Sequence, residues 1–192
     1  MTSYCALLRG ISPSNPSMRN DKLRGVFTGL GLREVASVIS SGNIVFRAEG
    51  REDPELLEKR IRSALVKELG IEGGTILRSR AELQELVDRA PFGDRVHTKS
   101  TYLTATFLKA PLDPVPEPFP QPDWEAVHVL GYDPPARAVL AVTDTIDFRT
   151  PDYMSWLERR FGNDITTRTW LTVTRILGKL PEERPGPSAR AD

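Results

Sequence analysis

Hydrophobic and polar positions switch between two periods along this chain, and the switches mark its elements. Residues 3 to 9, SYCALLR, form a short apolar run without helical spacing, closed by Gly10 and Pro13, which predicts a buried strand. Leu23, Val26, Phe27 and Leu30 then recur at i, i+3, i+4 and i+7, predicting a helix capped by Ser17 and stopped by Gly31. Gly25 and Gly29 inside it each cost about 1 kcal/mol relative to alanine, so packing must hold that helix. Glu34 to Ile39 and Asn43 to Arg47 are β-branched segments around Ser40, Ser41 and Gly42, the pattern of a tight hairpin. Asp53 and Pro54 open a second helix whose face carries Leu57, Ile61, Ala64, Leu65 and Leu69 before Gly70 ends it. Thr75 to Arg78 supply a fourth strand.

The order to this point is β-α-β-β-α-β. That arrangement is ferredoxin-like, a four-stranded antiparallel sheet with two helices on one face, and it accounts for residues 1–78 as one subdomain. Ser79 and Glu82 make a capping box for a connecting helix with Leu83, Leu86, Val87 and Ala90 on one face, stopping at Pro91. Residues 79–180 then form a second, smaller α+β subdomain. Leu103, Ala105 and Phe107 alternate with Tyr102, Thr104 and Thr106 as a strand, and Val127 to Tyr132 with Arg137 to Val142 make a strand pair. Between them, residues 111–122 (PLDPVPEPFPQP) place proline at nearly every second position, which blocks helix and central strand and predicts an extended, solvated connection. Thr150 and Pro151 are expected to open a helix carrying Tyr153, Met154, Leu157 and Phe161, with Gly162 as its stop. A last helix carries Trp170, Val173, Leu177 and Leu180, and the polar tail 181–192 is expected to be disordered. The fold class is therefore α+β with two subdomains.

Charge sharpens the partner question by removing classes. With 26 basic and 26 acidic residues among 192, the formal net charge is zero, so bulk electrostatics favours neither nucleic acid nor an anionic membrane. The one cysteine, Cys5, rules out an intramolecular disulfide and a thiolate-rich metal site. No signal-like N-terminus and no apolar run of membrane-spanning length is present, which makes a cytoplasmic, soluble protein the expectation.

Motifs for chemistry are few. His97 and His128 lack metal-ligand spacing and sit far apart, and Cys5 lies in a strand with no adjacent base, so none is expected to be catalytic. There is no nucleophile elbow and no Walker loop, and the glycines at 29 and 31 and at 70, 73 and 74 end helices instead of following strands, so no cofactor is expected. Asp144, Asp147 and Asp152 lack the spacing of a calcium loop and read as a solvated loop. The β-α-β-β-α-β order is shared with RNA-recognition modules, whose central strands stack bases on aromatics, and here those strands carry Tyr4 and Phe46. The basic, aromatic-dense third strand such modules need is missing from SGNIVFRA.

Three polar clusters remain: Arg9 with Gly10, Ser41 with Gly42 and Asn43, and Thr166, Thr167 and Arg168 before Trp170. Each has a structural account, as a strand-end arginine, a turn and a helix cap. LLRGI, SGNIVF and TTRTW, in that order and at these distances, resemble the domain-of-unknown-function family 1697 over roughly residues 3–178. The resemblance implies a bacterial, cytosolic protein of two α+β subdomains without an established activity. Matching positions are Arg9, Gly10, Ser41, Gly42, Asn43, Thr167, Arg168 and Trp170. The chain departs from the family pattern where a paired-glycine loop becomes SPSNPS, where NWNT becomes TWLT, and in TDTIDFRTPDYMSW before the penultimate helix, which lacks the usual glycine turn.

Taken together, these positions point to a small anionic ligand or nucleotide in a cleft between the subdomains. Arg9 and Arg168 would pair its charge, and Gly10, Ser41, Asn43 and Thr167 would complete the site. The alternative is an interaction module that associates with itself or a partner through an exposed sheet surface or edge.

Overall fold

In the computed structural model, residues 1–40, 42–49, 52–145 and 152–182 are described. The chain divides into two compact units, Met1–Arg80 with Gly178–Asp192, and Ala81–Leu177. The first unit runs β1 (Thr2–Leu8), a single 3-10 turn (Pro16–Met18), α1 (Asn20–Gly29), β2 (Arg33–Ser37), β3 (Asn43–Ala48), α2 (Pro54–Leu69) and β4 (Thr75–Ser79). Its four strands are antiparallel in the order β2-β3-β1-β4, the ferredoxin-like topology.

Alternation decides what each sheet face does. Tyr4, Ala6 and Leu8 of β1, Ile44 and Phe46 of β3 and Leu77 of β4 share one face and pack with Leu23, Val26 and Phe27 of α1 and Leu57, Ile61 and Leu65 of α2. Phe46 lies between two aromatic neighbours, Tyr4 at 6.0 Å and Phe27 at 5.3 Å between ring centroids. On the other face Cys5, Leu7, Asn43, Val45, Arg47 and Arg78 are buried as well. Asp53 caps α2 by accepting from the Glu55 amide, and left-handed Gly70 ends it, as its sequence predicts. Entry to α1 differs from the expectation. Asn15, not Ser17, supplies a cap, and it caps the 3-10 turn by accepting from the Ser17 amide; α1 itself starts after Arg19 with no side-chain cap. The C-terminal segment returns to this unit, where Arg80 Nη1 donates to the Leu180 carbonyl at 2.9 Å and Arg47 Nη2 donates to the Glu182 carbonyl.

The second unit takes in most of α3 (Arg80–Asp88), then β5 (Thr101–Leu108), β6 (Val127–Asp133), β7 (Ala138–Asp144), α4 (Tyr153–Phe161), β8 (Ile165–Thr169) and α5 (Trp170–Lys179). Its sheet order, β6-β7-β5-β8, repeats that of the first unit strand for strand. The register repeats as well. Cys5 pairs with Val45 and Arg78 as Ala105 pairs with Leu140 and Arg168, and Leu8 faces Thr75 as Leu108 faces Ile165. Beyond the strands, the Arg9 amide donates to Gly74 as the Lys109 amide donates to Asp164, and the Leu8 amide donates to Gly42 as the Leu108 amide donates to Arg137. Each fourth strand runs directly into a helix, β4 into α3 and β8 into α5. The two units thus share one strand order and one register, with the proline-rich connection standing where the first unit has α1, a repeat that the sequence hides.

Two expectations for this half need correction. ITTRT is not a helix cap but the strand β8, held by β5, and the cap of α5 is Thr169, whose Oγ1 accepts from the Thr172 amide at 3.3 Å. The proline-rich connection is exposed over residues 113–118, as expected for a solvated segment, but its C-terminal end is docked. Phe119 stacks on Tyr132 of β6 and on Phe161 of α4, and Gln121 reaches the edge of β6, donating to the Val129 carbonyl at 2.8 Å and accepting from its amide at 3.0 Å. This strap contacts the strand and helix that correspond to those against which α1 packs in the first unit, β2 and α2. The expected helix start at Thr150 and Pro151 lies outside the described residues, as do positions 183–192 of the tail; Asp152 caps α4 by accepting from the Ser155 amide.

α3 is fastened within the second unit by two ion pairs. Glu82 receives Arg137 Nη2 at 3.1 Å, and Arg89 grips buried Asp133 with two parallel bonds of 2.8 and 3.0 Å. Asp133 Oδ1 also accepts from the Ala136 amide, closing the β6–β7 turn.

Candidate functional site

The polar positions singled out by sequence fall into three different environments. Arg9 leaves the end of β1 with its amide on the Gly74 carbonyl, and its own carbonyl lies so close to Gly73 that a Cβ there would stand 2.0 Å from the oxygen. Gly10 follows with φ +72°, and is exposed. Asn43 is fully buried. Its Nδ2 donates to the Val38 carbonyl at 3.0 Å, and its carbonyl accepts from the Val38 amide at 2.9 Å, so it closes the β2–β3 turn. Ser41 lies outside the described residues. Gly42 has φ +73°, and a Cβ there would meet Ile11 Cγ1 at 2.6 Å, because the turn packs on the loop that follows β1.

Thr167 and Arg168 are successive residues of β8, so they project to opposite faces of the second sheet. Thr167 pairs its hydroxyl with Thr106 at 2.8 Å on the α4 side. Arg168 Nη1 donates to Thr166 Oγ1 at 2.7 Å and to the Thr167 carbonyl at 2.9 Å on the other side. Its counterpart in the first unit is Arg78, which is almost wholly buried and donates to the carbonyl of its own preceding residue, Leu77, at 2.6 Å. Sequence reading passed over Arg78; the signal was the shared hydroxyl residue after the arginine and before a helix, Arg78-Ser79 and Arg168-Thr169.

A cationic pocket of about 500 Å³ lies in the first unit, at the N-terminus of α1. Arg19, Asn20, Asp21 and Arg24 of the helix start line it with Pro13, Met18 and Ser40. The local fold explains the opening. The 3-10 turn uses the Asn15 cap one turn too early to serve α1, so among the described residues no side chain caps the start of α1. Asn20 Nδ2 donates to the Ile39 carbonyl, and Arg24 Nη1 to Ser37 Oγ at 2.8 Å, which pins the β2–β3 turn beside the helix start. Arg19 and Asp21 form an exposed pair at 3.6 Å, while Arg24 has no carboxylate partner among the described residues. Arginines on a polar helix face read as solvated, which is why the sequence did not single out Arg19 or Arg24.

A second pocket, of about 340 Å³, lies within the second unit between the start of α4 and the sheet, and Thr167 is one of its walls. Hydrogen bonds from Ser155, the side chain first and the backbone amide second, hold the Asp152 carboxyl below its ordinary range, with Arg159 adding to the effect. Burial raises the phenol of Tyr153.

Other sequence candidates have structural roles. Tyr4 and Phe46 are in the core beneath α1 and α2 and present no ring face on which a base could stack. His97 Nδ1 accepts from the Leu103 amide at 3.2 Å. Among the described residues no cluster of three or more His, Cys, Asp and Glu side chains is placed to hold a metal ion, and no helix is long and apolar enough to cross a membrane.

The family model described as "Protein of unknown function (DUF1697)" matches residues 1–122, and the chain belongs to that family. No curated protein matches it. Among solved structures, the conserved bacterial protein SP0830 from Streptococcus pneumoniae is similar in fold, with a TM-score of 0.71 at 20% identity over 93% of this chain and 97% of that one.

Proposed function

We propose that this member of the DUF1697 family binds a small anionic ligand, a phosphate- or carboxylate-bearing metabolite or a nucleotide, at the start of α1. The observation that carries the reading is the pocket at that helix start, where Arg19 and Arg24 flank first-turn amides that no side chain among the described residues caps. Amides and helix dipole both favour negative charge there, and Arg24, without a carboxylate partner among the described residues, can pair with it. The lining contains one carboxylate, Asp21, which already neighbours Arg19.

Thermal unfolding against inorganic phosphate, citrate and ADP tests this. A ligand at 100 times its Kd stabilises by about 2.7 kcal/mol, which is a rise of roughly 5–10 °C in Tm for a chain of this length. Arg24→Ala should remove the rise while the protein stays folded, and Arg19→Ala should reduce it. The same titrations on Arg9→Ala and Arg168→Ala decide whether those arginines take part, as the sequence motifs suggest. No rise with any of the three anions, or a rise indifferent to Arg24, would overturn the proposal.

A further inference from the structure

Because the two units share one register, each sheet position of the first has a counterpart in the second. Tyr4, which faces Phe46, corresponds to Thr104, which faces Ala141. Leu77 corresponds to Thr167, each paired across the sheet with the matching residue of the first strand, Ala6 or Thr106. Ala48, opposite Thr2, corresponds to Thr143, opposite Tyr102. In the first unit Tyr4, Phe46, Ala48 and Leu77 fill the core under α1 and α2. In the second unit the corresponding ring and aliphatic volume is gone, and Thr104, Thr143 and Thr167 instead line the pocket of about 340 Å³.

This is a built cavity, since threonine at core positions brings hydroxyls where an apolar filling would suffice. Thr104 spends its hydroxyl weakly on the Ala141 carbonyl at 3.3 Å. Tyr153, at the wall, is 6% exposed, and its hydroxyl is buried without a hydrogen-bond partner among the described residues. The remaining walls are Thr145, the half-exposed ring of Tyr102, the thioether of Met154 and the carboxylate of Asp152, and among the described residues no lysine or arginine lines the pocket. Asp152 forms no ion pair among the described residues; its carboxylate accepts from the side chain and the amide of Ser155 and feels the charge of Arg159.

We infer that the pocket between α4 and the β5–β7–β8 face is a second binding site, for a small organic amine with a compact apolar body. The ammonium group meets Asp152 at the rim, threonine hydroxyls accept hydrogen bonds from its remaining N–H groups, and the apolar body lies against Tyr102 and Met154. The site is distinct from the cationic pocket of the first unit and of opposite polarity.

Three probes of one skeleton and different charge test it: benzylamine, benzyl alcohol and benzoate, titrated against the full chain and followed by the methyl resonances of the threonines. Benzylamine is expected to shift the signals of Thr104, Thr143 and Thr167 and to bind about fivefold more tightly than the alcohol, with benzoate weakest. Asp152→Asn keeps an equally good helix cap and should bring the amine to the affinity of the alcohol. Thr104→Tyr places in the second unit the residue that fills the first, and should abolish binding of all three. Equal affinity for amine and alcohol, or an amine indifferent to Asp152→Asn, overturns the cation assignment; no shift at those threonines with any probe overturns the site. Should Thr104→Tyr fail to fold, the Asp152→Asn comparison still decides.

Discussion

The two units carry the same four-stranded sheet in the same register but cover it differently. The first lays a helix, α1, against β2 and α2, with Phe27 buried against Phe46. The second lays the proline-rich strap there, and Phe119, only half-buried, stacks on β6 and α4. A helix satisfies its own backbone and can bury a full apolar stripe. An extended strap without regular hydrogen bonds must borrow partners, and the Gln121 amide meeting both backbone groups of Val129 is such a loan. The sheet is therefore the invariant of the duplication. What covers it is exchangeable, and the exchange decides where space for a ligand is left.

The largest effect expected from breaking this comparison is at the helix. Phe27→Ala should cost about 3–5 kcal/mol, the range for truncating a buried phenylalanine, whereas Phe119→Ala should cost clearly less because solvent already reaches that ring. All three tryptophans, Trp124, Trp156 and Trp170, lie in the second unit, so their fluorescence reports that unit while far-ultraviolet circular dichroism reports both. In denaturant, Phe27→Ala should displace the dichroism transition much more than the fluorescence transition, and Phe119→Ala should displace the fluorescence. Equal displacement of both signals by Phe27→Ala would mean that the units unfold as one, and the comparison of covers would lose its energetic content.

The same contrast explains what could be read from sequence. The first unit was legible because its helical and alternating periods are clean and are punctuated by Asp53, Pro54 and Gly70. β8 was not, because Ile165, Thr167 and Thr169 face a threonine-rich sheet surface and give no hydrophobic alternation. The proline-rich composition signals an extended chain, but docking depends on Phe119 and Gln121 meeting residues distant in sequence. Of the candidate positions, Asn43 proved to be a turn closure, and Thr167 and Arg168 were separated by the pleat. The lining of the pocket at α1 was hidden for a different reason: an arginine four residues into a helix looks solvated until the turn opposite it is known.

A smaller effect is expected at the anchor of α3, which fixes that helix to the second unit. Arg89→Ala leaves buried Asp133 with the Ala136 amide as its remaining hydrogen bond among the described residues, and the two lost charge-assisted bonds are worth about 1.5–3 kcal/mol. Here fluorescence should move and the dichroism change should follow it. Glu82→Ala, which removes a pair whose partners are both about a third exposed, should cost at most about 1 kcal/mol. If the two variants proved equally mild, Asp133 would not depend on its arginine.

The smallest effect tests the duplication at its least similar point. Gly42 and Arg137 occupy corresponding positions, each accepting the amide of the last residue of the central strand, and both have positive φ, +73° and +49°. In the first unit the residue must be glycine, because a Cβ would press on Ile11 as well as strain the backbone. Gly42→Ala should therefore cost about 1–2 kcal/mol or slightly more, seen by dichroism and not by fluorescence. In the second unit the same backbone carries an arginine whose bond to Glu82 partly offsets the strain. Arg137→Gly exchanges that bond for a relaxed turn, so its effect should lie within about 0.5 kcal/mol of zero, and Arg137→Ala, which keeps the strain and loses the bond, should be the less stable of the two. The opposite order, alanine above glycine, would show that the positive φ of this turn is not what the two units share.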